Sequence, residues 1–109
     1  SLPEQNKNNY SSYHLFIIRI KTERIKISHK EIFEKLRNSG ILVNLHYIPV
    51  YRHPYYSKMG FNKDLYPESE SYYSEAISIP IFPSMTKKQQ NEVINILKSP
   101  MGGGFQSLF

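Results

Sequence analysis

From residue 13 to residue 20 apolar side chains occupy both alternating sets of positions: Phe16, Ile18 and Ile20 interleave with Leu15, Ile17 and Arg19. A period of two predicts a β-strand, and apolar residues on both of its faces predict cover on both sides. The period then changes. Ser28 followed by Glu31 is a capping box, whose two side chains satisfy the first free amides of a helix. Ile32, Phe33 and Leu36 share one face of that helix, and Gly40 provides its left-handed exit. The mostly apolar run at 41–45 follows at once and, extended to His46, predicts a second strand, a β-α-β beginning. Further on, Pro67 suits a first helical position, with Glu68 and Glu70 complementing the positive end of the dipole of a helix reaching about Glu75. Residues 76–79 predict a short strand limited by Pro80 and Pro83. Thr86 and Gln89 form a second capping box, opening a helix through Val93, Ile94 and Leu97 that Pro100 ends.

The order β-α-β-loop-α-β-α places the chain in the α+β class, with a short, mainly antiparallel sheet and helices packed on one face. Residues 1–10 read as a linker or loop, 11–98 as one domain, and 99–109, with Gly102, Gly103 and Gly104, as a flexible tail. A length of 109 residues allows one domain with a modest core. The hydrophobic share of 39% separates the chain from disordered compositions. Cysteine is absent, which excludes disulfides, thiolate metal sites and cysteine nucleophiles, and fits a cytoplasmic location. No basic segment leads into an apolar core at the amino terminus and no long apolar run occurs, so neither secretion nor membrane spanning is expected. The net charge of +5 is spread out; its densest run, Lys21, Arg24, Lys26 and Lys30, reads as a solvated turn between strand and helix.

The chemistry concentrates in residues 46–56, His-Tyr-Ile-Pro-Val-Tyr-Arg-His-Pro-Tyr-Tyr, directly after the apolar run. Aromatic faces with hydroxyl tips, imidazoles and a guanidinium suit a polar, partly aromatic, negatively charged ligand. The plainer alternative is a tyrosine-rich loop capping a small core. Other chemistries lack their spacing. His14, His29, His46 and His53 lie on separate elements with no i, i+4 pair, so no metal is expected. No G-x-S-x-G elbow is present, and Glu68 and Glu70, two apart on a helix, face different ways and read as dipole-complementing charges. The triple glycine has no following helix and no lysine-serine pair, which argues against a phosphate cradle. An RNA-binding module of α+β build would use Tyr and Phe as stacking platforms, yet no K/R-G-F/Y-G/A-F motif occurs. A non-catalytic protein-interaction domain on the same scaffold is the remaining alternative.

Three blocks carry a resemblance: His46-Tyr47-Ile48-Pro49-Val50; Pro67 through Glu70 to Tyr72-Tyr73, as P-x-x-E-x-Y-Y; and Ala76-Ile77-Ser78-Ile79-Pro80-Ile81-Phe82-Pro83. Their order and spacing over residues 11–97 resemble the carboxy-terminal part of the DegT/DnrJ/StrS-type sugar aminotransferases, nearest to the transaminases of the pseudaminic-acid pathway. The resemblance implies the small carboxy-terminal domain of a type I pyridoxal-phosphate fold. It implies transfer of an amino group from an amino acid, glutamate, to a keto group of a nucleotide-linked deoxysugar. The pyridoxal phosphate and the lysine that binds it would belong to a large domain outside this chain, leaving this piece catalytically inactive alone, and the complete enzyme would be a homodimer. Nucleic acid and membrane are not among the implied partners. His46 and Tyr47 match the family's H-Y pair and are the implied substrate contacts, with the backbone set by Pro49. Tyr51 and His53 are further substrate-side candidates, standing where many relatives carry a histidine and a glutamine. The second and third blocks read as scaffold, and no catalytic, cofactor-binding or metal residue is assigned to this chain.

Overall fold

A computed structural model describes residues 1–98. Two strands form its sheet: β1 (Phe16–Arg19) pairs antiparallel with β2 (Ala76–Ile79), placing Phe16 opposite Ile79, Ile17 opposite Ser78, Ile18 opposite Ile77 and Arg19 opposite Ala76. This register puts Ile18 and Ile77 on one face, with Ile17, Arg19 and Ser78 on the other. Ile18, Ile20 and Ile77 are buried with Ile32 and Leu36 of α2 (His29–Asn38), Val93 and Leu97 of α5 (Lys87–Lys98), and Ile41 and Val43. The two amphipathic helices therefore close one face of the sheet, as a helical stripe of apolar residues requires. Both capping boxes form: the Glu31 amide donates to Ser28 Oγ at 3.2 Å and the Ser28 amide to Glu31 Oε2 at 2.9 Å. The Thr86 amide likewise donates to Gln89 Oε1 at 2.9 Å, and the Gln89 amide to Thr86 Oγ1 at 3.2 Å. Gly40, at φ +83°, makes the left-handed exit from α2.

The run at 41–46 departs from the strand expected of it. The Val43 amide donates back to Ile41 O at 2.8 Å, a local turn that removes it from any ladder. Only Asn44 pairs with β2: its amide donates to Ser78 O at 3.1 Å, and the Ser78 amide to Asn44 O at 2.8 Å. The sheet thus has two strands and one bridge in place of three strands. Two short helices add to the three expected. The basic run contains α1 (Thr22–Ile25), ended by Lys26 in the left-handed region at φ +53°. The tyrosine-rich loop contains a 3₁₀ turn (Val50–Arg52) and α3 (Pro54–Lys58), which Pro54 starts with its preset φ. A second 3₁₀ turn (Lys63–Leu65) precedes α4 (Pro67–Glu75), whose bounds agree with the sequence, as do those of β2. At the other end, the Arg19 amide donates to Ser1 O at 2.9 Å, docking the first residue on the outer edge of β1. The expected stop at Pro100 and the glycine tail lie outside the described residues.

Candidate substrate-facing site

The face of the sheet opposite α2 and α5 is built from charged and aromatic side chains. Glu75, at the end of α4, is buried, with its side chain 9% exposed, and two cations hold it. Arg19 Nε donates to Glu75 Oε2 at 2.8 Å; Lys21 Nζ reaches both carboxylate oxygens, at 3.0 and 2.9 Å. Burial alone would raise the Glu75 pKa, but the Lys21 hydrogen bond and the charges of Arg19 and Lys21 outweigh it and hold the pKa below the ordinary carboxylate value. Arg19 also donates to Ser71 Oγ at 3.2 Å and lies 5.7 Å from the Tyr72 ring centre, so it ties β1 to α4. The sequence pattern places Lys21 in a solvated turn. It is instead half-buried and ion-paired, because its partner arrives from a helix 54 residues away.

The Asn44–Ser78 bridge delivers His46 to the same region. His46 Nδ1 lies 2.8 Å from the buried Ser78 Oγ, and no described residue partners Nε2. The Tyr47 ring meets the His46 ring edge-on, with centroids 4.7 Å apart at 79°, and is 74% exposed. The peptide bond joining the pair is cis. Ser78 belongs to a block that the sequence assigns to scaffold. Its hydroxyl nonetheless orients the imidazole, and alternation in β2 could have found it, since Ser78 is the one polar side chain between Ile77 and Ile79.

Tyr51 and Arg52 converge on Glu70. The Tyr51 hydroxyl donates to Glu70 Oε1 at 2.8 Å; Arg52 Nε donates to the same oxygen at 2.9 Å, and Arg52 Nη2 pairs with Oε2. The Arg52 guanidinium also sits 5.0 Å from the Tyr73 ring centre, and Tyr51 stacks on Tyr66 with centroids 4.5 Å apart. The Arg52 hydrogen bonds hold the Glu70 pKa down at about 2, while burial and the bond to Glu70 push the Tyr51 phenol up. Glu70 is therefore more than a dipole-complementing charge: it stands in the first turn of α4 and also anchors the tyrosine-rich loop. His53 is exposed, and its backbone amide donates to Val50 O at 3.0 Å ahead of α3.

Of the four substrate-side candidates, Tyr47 and Tyr51 line one shared groove of about 380 Å³, together with Pro49 and Val50. Its opposite wall is α4, through Ser69, Tyr72 and Tyr73. His46 stands at Tyr47's side, and His53 is not part of the lining. Among the described residues no group of three or more His, Asp or Glu gathers in the manner of a metal site, and no helix is long and apolar enough to cross a membrane.

The backbone arrangement of this chain recurs in known enzymes. PseC of Helicobacter pylori, an aminotransferase involved in the biosynthesis of pseudaminic acid, superposes with a TM-score of 0.69 at 30% identity, covering 81% of this chain and 24% of PseC. Spr1654 of Streptococcus pneumoniae, described as a sugar aminotransferase, superposes in its apo form with a TM-score of 0.71 at 26% identity, over 79% of this chain and 21% of that one. The fold is thus a small α+β domain of the kind found in aminotransferases. Residues 1–98 match the DegT/DnrJ/EryC1/StrS aminotransferase family, and the chain belongs to it. Among curated relatives, the uncharacterised protein MJ1066 of Methanocaldococcus jannaschii is 34% identical over 97 residues, 88% of this chain and 25% of its own length. The spore coat polysaccharide biosynthesis protein SpsC of Bacillus subtilis is 28% identical over 94 residues, 84% of this chain and 24% of its own. The chain spans about a quarter of the length of these relatives.

An aminotransferase cofactor needs a sheltered lysine and a cup for its phosphate. Spr1654 has also been solved in a PMP form. The described residues of this chain do not fit such a site. Lys21 is the one half-buried lysine among them, and both oxygens of Glu75 hold it; the others are exposed.

Proposed function

We propose that this chain is the substrate-side domain of a pyridoxal-phosphate-dependent sugar aminotransferase, one that moves an amino group from glutamate to a keto group of a nucleotide-linked deoxysugar. The family match supports the reaction class, and the likeness to PseC supports the pseudaminic-type branch. The single observation that carries the reading is the His46–Tyr47 pair: an imidazole fixed through Nδ1 by Ser78, its Nε2 left for a ligand, beside an exposed tyrosine at an aromatic groove. Aromatic faces cover the C–H face of a sugar ring while tyrosine and histidine tips meet its hydroxyls and phosphates. The cofactor and its lysine belong, in this reading, to a larger domain carried by the complete enzyme. That enzyme works as a cytoplasmic homodimer, and residues 1–109 alone bind no cofactor and turn over no substrate.

The experiment is a paired assay. The 109-residue chain and a complete enzyme containing it are each loaded with pyridoxal phosphate; one portion is reduced with borohydride before any amino donor is added and mapped by mass spectrometry, and another is given glutamate and nucleotide-linked keto-sugars and assayed for amino-sugar. The reading requires amino-sugar formation and one labelled lysine in the complete enzyme, outside residues 1–98, and neither in the short chain. Stoichiometric labelling with turnover in the short chain refutes it. Salt-dependent oligonucleotide binding without transamination by the complete enzyme would favour the RNA-binding alternative.

A further inference from the structure

The two walls of the groove come from different parts of the chain. One is the tyrosine-rich segment, through Tyr47 and Val50; the other is α4, through Ser69 and Tyr72. The polar contacts that cross between them converge on one carboxylate. Glu70 accepts from the Tyr51 hydroxyl and from both ends of the Arg52 fork, while Arg52 spreads over Tyr73. A bidentate guanidinium–carboxylate pair fixes direction as well as distance. Partly exposed pairs of this kind add little to stability, and the Arg52 and Glu70 side chains are 39% and 23% exposed. Three donors on one such carboxylate are therefore better explained by what they align than by what they stabilise.

We propose that Glu70 is a positioning residue of the groove: by holding Arg52 and Tyr51 together it fixes the distance between the Tyr47 wall and α4, and so sets which sugar rings the groove admits. The assignment rests on the proposed function, since it takes the groove to be the sugar's path. Glu70 touches no reacting atom in this account. Its influence reaches the sugar through Tyr51 and through the 3₁₀ turn, where the Arg52 amide donates to Pro49 O at 2.9 Å and the His53 amide to Val50 O at 3.0 Å. Pro49 and Val50 line the groove themselves.

The test uses the complete enzyme with Glu70→Gln, Arg52→Gln and the double variant, measured with the keto-sugar and with the amino donor. Glu70→Gln is expected to raise KM for the sugar about tenfold, with kcat and the donor KM within about threefold of wild type. The double variant is expected to be no worse than Glu70→Gln, because the two side chains act as one unit. Hydrogen exchange is the second arm: the Arg52 and His53 amides should exchange faster in Glu70→Gln, and the Ser78 amide in β2 should not change. A lowered melting temperature with unchanged sugar KM overturns the proposal, as does a fall in kcat alone. If the wild-type enzyme aminates no sugar, the proposed function fails by itself. Exchange then decides the clamp, and unchanged rates at Arg52 and His53 overturn it.

Discussion

The two faces of the same small sheet obey different rules. On one, Ile18 and Ile77 meet Ile32, Leu36, Val93 and Leu97 in a buried apolar cluster. On the other, Arg19 and Ser78 stand beside Ile17 in the register, and α4 and the tyrosine-rich loop are joined by ion pairs and single hydrogen bonds. The apolar face is held by area removed from water, which is non-directional and tolerates many sequences of the right size. The polar face is held by directional contacts, each weaker but each fixing an angle. Stability therefore rests with the first face and geometry with the second. Exposed Tyr47, Ile48, Val50, Tyr55 and Met59 all lie in or directly after the tyrosine-rich loop.

The sharpest way to break the division is to exchange the expected costs. Leu36→Ala, at a fully buried position in α2, should destabilise the protein by about 2–5 kcal/mol, read as a denaturant midpoint at unchanged slope. A loss below about 1 kcal/mol would mean that the apolar face is not the stabilising one. Glu75→Gln comes next. It leaves two cations around a buried amide, but Arg19 and Lys21 are about one-third exposed and water can compensate them, so the cost should be about 1–2 kcal/mol. A loss as large as that of Leu36→Ala would erase the distinction between the faces.

The smallest expected effect is a pH dependence confined to the clamp. The Glu70 pKa is depressed from 4.5 to about 2, so its contribution is complete above about pH 4.5 and is lost as pH falls towards 2. Exchange at the Arg52 and His53 amides, corrected for intrinsic rates, should therefore be flat from pH 7 to 5 and accelerate below about 4.5. Acceleration already between pH 7 and 5 would place the control with another group.

How far the sequence discloses these faces follows from the range of the contacts. Both capping boxes, Gly40, Pro67 and the strand at 76–79 depend on neighbours within a few residues, and each is found where the pattern puts it. The run at 41–46 misleads because its apolar residues report burial, which Ile41 and Val43 do achieve, while the turn from Val43 to Ile41 denies them a ladder. On the polar face the partners are remote: Arg52 is 18 residues from Glu70, His46 is 32 from Ser78, and Lys21 is 54 from Glu75. No period within either segment encodes such pairs. The three resemblance blocks mark His46, Glu70 and Ser78 as members of one arrangement, but only the fold shows the contacts each of them makes.

Whether the polar face receives a sugar at His46 is decided most directly by His46→Ala in the complete enzyme under steady-state kinetics, with cofactor absorbance and melting temperature recorded alongside. A fall of about ten- to a hundredfold in kcat/KM for the keto-sugar is expected, equivalent to about 1.5–3 kcal/mol for one hydrogen bond to a charged group. Cofactor absorbance should stay as in the wild type. A variant whose melting temperature drops while its folded fraction keeps wild-type kinetics would contradict the claim and leave His46 as a structural partner of Ser78.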